Sequence, residues 1–210
     1  MYICQKGRTE YLFDEEGDQV MLLLDKAVLF ASEAHKNKKR KGILQDYIYH
    51  PIEVLSLASM MSDDEDVLCA AVLHDTVEDT EVTLEDLQRE FNERVAKLVS
   101  YETEDKRGNV NKDATWVKRK QETIDFIRQL DDIGGKIICL ADKVSNLRSM
   151  HLGLYDHGDA FWDAFNMKDP KMHYWYYNSL KDELKELAKY SVYKEYCFLI
   201  NAVFEKYIKG

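Results

Sequence analysis

Val67-Leu68-Cys69-Ala70-Ala71-Val72-Leu73 is an unbroken apolar run, and it passes directly into His74-Asp75-Thr76-Val77-Glu78-Asp79. Ser62 and Asp63 offer N-caps upstream, so the run reads as a helix that is apolar nearly all round and therefore buried. It is far too short to span a bilayer. The polar end is the informative part, because an unpaired buried charge is costly. His74 and Asp75 need either local hydrogen bonds at a helix terminus or a cation that stabilises neutral imidazole and carboxylate together. For the pair alone, both readings stay open.

Working outward, the rest of the chain is also helical in pattern. Met21, Leu24, Val28 and Ala31 mark one face of a helix running to about His35, and a basic loop, Lys36 to Gly42, follows. Pro51 fits a first helical position, which puts His50 at the mouth of a second helix through Met61. Beyond the central run, Thr83 with Asp86 resembles a capping box for a short helix to Phe91, and Asn92 can cap another through Tyr101. A polar loop is expected over 105–113, then a long helix from Ala114 to Leu130 and a break from Asp131 to Gly135. Ile137, Leu140, Ala141, Val144 and Leu147 restore the period with Asp142 among them, a looser region covers 153–170, and two amphipathic helices follow. One carries Trp175, Leu180, Leu184 and Leu187, and the other Tyr196, Leu199, Val203 and Tyr207. Neither repeat nor linker interrupts this pattern. The expected fold is all-α, a single-domain helical bundle over 21–210, with residues 1–20 an N-terminal extension of unassigned structure.

Composition narrows the partners. The 210 residues carry a formal charge of −10, whereas a face that grips long nucleic acid carries a basic excess. No long nucleic acid is expected. Lys36, Lys38, Lys39, Arg40 and Lys41 nevertheless gather cations in one loop, which can be a solvated face or an anion site. Cys4, Cys69, Cys139 and Cys197 form no C-x-x-C pair, so neither a disulfide framework nor a zinc knuckle is expected. The opening residues lack a signal-peptide core, which makes the cytoplasm the expected location, without membrane attachment. The oligomeric state is not legible.

His50, the His74-Asp75 pair and Asp142 would together supply two nitrogens and two carboxylates from three helices. Mixed ligands of this kind suit manganese, iron, magnesium or zinc.

Three segments carry a resemblance: Tyr47-Ile48-Tyr49-His50-Pro51, Leu73-His74-Asp75-Thr76-Val77-Glu78-Asp79-Thr80 and Leu140-Ala141-Asp142-Lys143-Val144-Ser145-Asn146-Leu147-Arg148. In order and spacing they resemble the HD-type hydrolase domain of the RelA/SpoT family. Thr103-Glu104-Asp105-Lys106, Trp116 with Arg119-Lys120, and Trp175-Tyr176-Tyr177 add weaker matches. The length suits the family's free-standing members, the small alarmone hydrolases. The resemblance implies an HD-type bundle in which His50, His74, Asp75 and Asp142 bind a divalent metal, usually Mn2+, while Glu78 and Asp79 act on the attacking water. It implies that Arg40 and Lys41 contact the nucleotide, with Tyr47, Lys143, Asn146 and Arg148 as further substrate-side candidates. The implied reaction is hydrolysis of the 3′-pyrophosphate of ppGpp or pppGpp, the alarmones of the stringent response, giving GDP or GTP and pyrophosphate. The alternatives are an HD-fold phosphatase for another phosphorylated nucleotide or cofactor, and a non-catalytic alarmone-binding protein.

The sequence also departs from the family pattern. Asp46 stands where proline is common, Gly42 to Asp46 is an unusual continuation of the Arg-Lys loop, and Ser145 replaces a frequent histidine or tyrosine. None of these removes a metal ligand or catalytic carboxylate.

Overall fold

The computed structural model describes residues 2–6, 9–13, 22–103 and 112–209, with side chains over 22–103 and 115–209. Met21 lies outside these residues, as does the loop expected over 105–113 as far as residue 111. Within the N-terminal extension, β1 (Tyr2–Lys6) and β2 (Thr9–Phe13) pair antiparallel, from Tyr2 opposite Phe13 to Lys6 opposite Thr9. Every later described element is helical: α1 (Leu23–Ala34), α2 (Tyr49–Ala58), α3 (Glu65–Leu73), α4 (Thr76–Asp79), α5 (Leu84–Glu90), α6 (Glu93–Ser100), α7 (Lys112–Gln129), α8 (Ile133–His157), α9 (Pro170–Glu183) and α10 (Ser191–Ile208). Short 3-10 turns cover 158–164 and 185–187. From α1 onward the fold is the expected all-α bundle.

Local chemistry accounts for most boundaries. The Thr83–Asp86 capping box opens α5, and Asn92 caps α6 by accepting from the Val95 amide. Asp64, rather than Ser62 or Asp63, caps α3 through the Asp66 amide, while Ser62 accepts from Asp64. The helix of Pro51 starts two residues earlier than expected, at Tyr49. A first turn needs no intrahelical amide partners, so proline is accommodated there, and His50 sits inside the turn rather than at its cap.

The expected break over 131–135 ends at Asp132, whose side chain caps α8 through the Gly134 amide. Gly134 and Gly135 are helical, and glycine is required by packing. A Cβ on Gly134 would lie 2.8 Å from Val67 Cγ2, and one on Gly135 would lie 2.7 Å from the Tyr101 ring. The helix then runs 25 residues to His157, a few residues into the looser region expected over 153–170, the rest of which holds only a 3-10 turn before α9. That length places α8 at the centre, packed by α2, α3, α6 and α10. Ala27 and Ala31 line the buried face of α1, and their small side chains let α3 approach; Leu24 and Val28 are only half-buried. As expected, Val67 to Leu73 is the buried heart of the bundle, with only Leu68 half-exposed. No helix among the described residues is long and apolar enough to cross a membrane.

Candidate metal centre

α2, α3 and α8 pack against one another pairwise, and each brings a polar group to the place where they meet. His50 comes from the first turn of α2, His74 is the C-cap of α3, Asp75 follows it, and Asp142 lies midway along α8. His50 Nε2 is 3.1 Å from Asp142 Oδ1 and 3.4 Å from Asp75 Oδ2. His74 Nε2 is 3.2 Å from Asp75 Oδ2 and 3.6 Å from Asp142 Oδ1, and the two Nε2 atoms are 3.2 Å apart. Donors about 2.1 Å from one cation lie about 3.0 Å apart at right angles and about 3.4 Å apart at tetrahedral angles. The spacings among His50, His74 and Asp142 suit a single coordination sphere, and these three form a group that could hold a metal ion, with Asp75 beside it within 3.4 Å of both imidazoles.

The hydrogen bonds behind the rings decide what the rings present. His74 Nδ1 is 2.9 Å from the Ala71 carbonyl, which can only accept, so Nδ1 carries the proton. His50 Nδ1 is 2.8 Å from Ser145 Oγ, and Ser145 spends its one hydrogen on Glu53 Oε2 at 2.5 Å. The Ser145 oxygen therefore accepts from His50 Nδ1. Both Nε2 atoms are left to offer lone pairs to a space already faced by two carboxylates. Such a buried set calls for a cation. Without a metal, a proton serves: burial opposes protonation of His74, but Asp75 and Asp142 outweigh it and raise its pKa well above the ordinary imidazole value. Asp75 is held well below the usual carboxylate range, since His74 and His50 outweigh its burial. The same is true of Asp142, where Lys143 and the two imidazoles outweigh burial.

The remaining candidates fall into two groups. The Tyr47 hydroxyl donates to Asp75 Oδ2 at 2.6 Å, and burial with the nearby carboxylates pushes its own pKa far up. Asn146 Nδ2 donates to Asp142 Oδ1 at 2.7 Å, while its oxygen accepts from Arg40 at 3.0 Å. Arg40 also donates to Ser149 at 3.1 Å and lies over the Tyr47 ring. Lys38 donates to the Asp79 carbonyl, and Lys39 pairs with Asp46. Asp46, in place of the family's proline, thus closes the basic loop through an ion pair. Glu78 and Asp79 are half-buried and line a cavity of about 280 Å³ together with His50, Asp75, Asp142 and Asn146. They also line two adjoining bays, one bearing Lys38 to Lys41 and the other Trp116, Arg119 and Lys120.

Two candidates are engaged elsewhere. Lys143 is on the cavity wall, but its ammonium is paired with Asp142 and with Glu102 at 3.5 Å. Arg148 lines none of these cavities: its guanidinium is held by Glu195 at 2.6 and 2.9 Å and by Glu53 at 2.8 Å.

Three contributors were not legible as such. No local pattern singles out Glu53 or Glu102, although Glu53 follows His50 by three residues and so shares its helical face. His35, read only as a helix end, is buried against the Tyr47 ring at 4.8 Å, with neither ring nitrogen hydrogen-bonded among the described residues. Burial lowers its pKa to about 4.

Two imidazoles and the Asp142 carboxylate, brought together from three packed helices, form a buried group that could hold a metal ion. A family model described as "HD domain" matches residues 27–157, more than half of the chain. The chain belongs to the HD-domain family, on its RelA/SpoT-type branch. A guanosine-3′,5′-bis(diphosphate) 3′-pyrophosphohydrolase of Danio rerio is 35% identical over 61% of this chain and 69% of its own length. One of the same name from Aquifex aeolicus is 31% identical over 82% of this chain but only 24% of itself. The chain spans 17–24% of the length of the long curated relatives it matches. A solved structure described as a metazoan ortholog of SpoT that hydrolyses ppGpp superposes with a TM-score of 0.67, covering 90% of this chain and 98% of the other. At 24% identity, that likeness is one of fold.

Proposed function

We propose that the protein is a metal-dependent phosphohydrolase that removes the 3′-pyrophosphate from guanosine tetra- or pentaphosphate, leaving GDP or GTP. The observation that carries this reading is the pair of buried Nε2 lone pairs facing Asp75 and Asp142, with Glu78 and Asp79 on the same cavity wall. His50, His74, Asp75 and Asp142 would hold one divalent cation, Mn2+ in this reading. Such an ion supplies Lewis acidity and lowers the pKa of water.

The protein's own groups do the rest. Ser145 and the Ala71 carbonyl keep the protons on the two Nδ1 atoms. Tyr47 and Asn146 fix the orientation of Asp75 and Asp142. Glu78 and Asp79, close to the ligands yet outside the ligand set, orient the attacking water and accept its proton. Arg40 and Lys41 neutralise the nucleotide's phosphates, which is where positioning assists phosphoryl transfer most. Lys143 and Arg148, already paired with carboxylates, hold the site's framework. The hydrolase domain would run from about residue 21 to 210, the hairpin being an addition to it.

The support is the RelA/SpoT-type family membership together with cavities whose walls carry basic side chains beside Glu78 and Asp79. The test is to load the protein with Mn2+, incubate it with a panel of phosphorylated nucleotides, and identify products. Release of pyrophosphate with GDP or GTP is expected. Turnover confined to another nucleotide would replace the substrate, and tight alarmone binding without turnover would make the protein a sequestering one.

A further inference from the structure

The two oxygens of Asp142 face different neighbours. Oδ1 points to both imidazoles and accepts from Asn146, whereas Oδ2 meets the Lys143 ammonium. An ammonium one atom behind a ligand oxygen is a poor neighbour for a bound dication, because like charges repel strongly where water is scarce. On the far side of that ammonium stands Glu102, just past the end of α6, with Oε2 at 3.5 Å. Its side chain is 5% exposed, and its Oε1 is buried with no hydrogen-bond partner among the described residues. A half-satisfied buried carboxylate is expensive to keep, and a fold that needed only to fill this space would do better with an apolar residue.

We propose that Glu102 is a positioning residue of the metal centre, holding the Lys143 ammonium on the outer oxygen of Asp142 and offsetting that ammonium's repulsion of the bound cation. Lys143 fixes which Asp142 oxygen is presented inward, and Glu102 makes that arrangement compatible with a dication. Lys143 and Glu102 then act as one neutral unit. This inference rests on the metal-centre reading, and metal affinity tests the two separately.

The experiment titrates Mn2+ into the chelator-stripped full chain by calorimetry, with a thermal melt on each variant to verify folding. Glu102→Gln should bind Mn2+ about 10-fold or more weakly, the scale of lost outer-shell support. Glu102→Asp, which keeps the charge, should bind more tightly than Glu102→Gln. The double variant Glu102→Gln/Lys143→Met, which removes both charges, should recover most of the lost affinity. A purely structural role would shift the melt of Glu102→Gln and leave its metal affinity unchanged, which overturns the proposal. A double variant no better than Glu102→Gln also overturns it. A wild-type chain that takes up no metal ends the metal-centre reading and this inference together.

Discussion

The floor and the rim of the cleft are built by opposite rules. On the floor, His50, His74 and Asp142 are buried, and every proposed ligand side chain has a partner behind or beside it: Ser145, the Ala71 carbonyl, Tyr47, Asn146 and Lys143. On the rim, Lys39 is 69% exposed and pairs with Asp46, Lys41 is exposed, and Arg40 is tethered by two hydrogen bonds to neutral side chains. Ordering long cationic side chains costs entropy, and the rim limits that cost by holding its cations through a few exposed or neutral contacts rather than a buried network. On the proposed function, this difference would give the chemistry to a preorganised floor and recognition to the rim.

The floor should therefore fail abruptly and the rim gradually. His74→Ala is expected to have the largest effect, removing bound metal and turnover together, as read by elemental analysis and product release. Metal retained at full occupancy would break the ligand assignment. Next come Glu78→Gln and Asp79→Asn, each lowering kcat and kcat/KM together by about 10²–10⁴-fold while metal content holds. Wild-type kcat in both would remove them from the chemistry.

Ser145→Ala leaves the ligands intact but frees the His50 ring, and Mn2+ affinity should drop by about 10–100-fold. Replacing Arg40 and Lys41 with Ala should raise KM about tenfold or more, as loss of charge-assisted hydrogen bonds implies, with metal affinity and kcat little changed. A rim variant that instead lost metal would erase the division between floor and rim.

The smallest effect expected is one of pH on the metal-free protein. The raised pKa of His74 contributes stability that is full below the ordinary imidazole value and is lost as pH rises through the raised one. The depressed Asp75 and Asp142 contribute above the ordinary carboxylate range and lose that contribution on acidification. Melting temperature in chelator should therefore fall toward alkaline pH, and metal loading should abolish the fall, since the cation takes the proton's place. An unchanged alkaline melt on metal loading would contradict this competition.

What was legible in the sequence follows the range of the interaction concerned. The buried Val67–Leu73 run, the Thr83 capping box and the Asn92 cap are local patterns, and all three stand in the structure. The His74-Asp75 pair stands out locally at a buried helix end, but the full candidate ligand set comes from the family resemblance across three segments. Gly134 and Gly135 misled because their reason is tertiary: Val67 and Tyr101 occupy the space that side chains would need. Glu53 and Ser145, 92 residues apart, and Glu102 and Lys143, 41 apart, leave no local trace of their pairing. An acid on an amphipathic helix looks the same whether it faces solvent or a buried partner.

The contact from Ser145 through Glu53 and Arg148 to Glu195 bears on the order of assembly. Arg148 joins partners 95 and 47 residues away, so α2, α8 and α10 are tied at one point. Loop closure over such separations comes late in folding. During synthesis, α2 and α3 can emerge and pair while Glu53 still lacks Arg148, and Arg148 lacks Glu195 until α10 has left the ribosome. The shell behind His50 is complete only once α10 docks, so on the proposed metal-centre reading metal capture would be a late event and a nascent chain a weak competitor for metal.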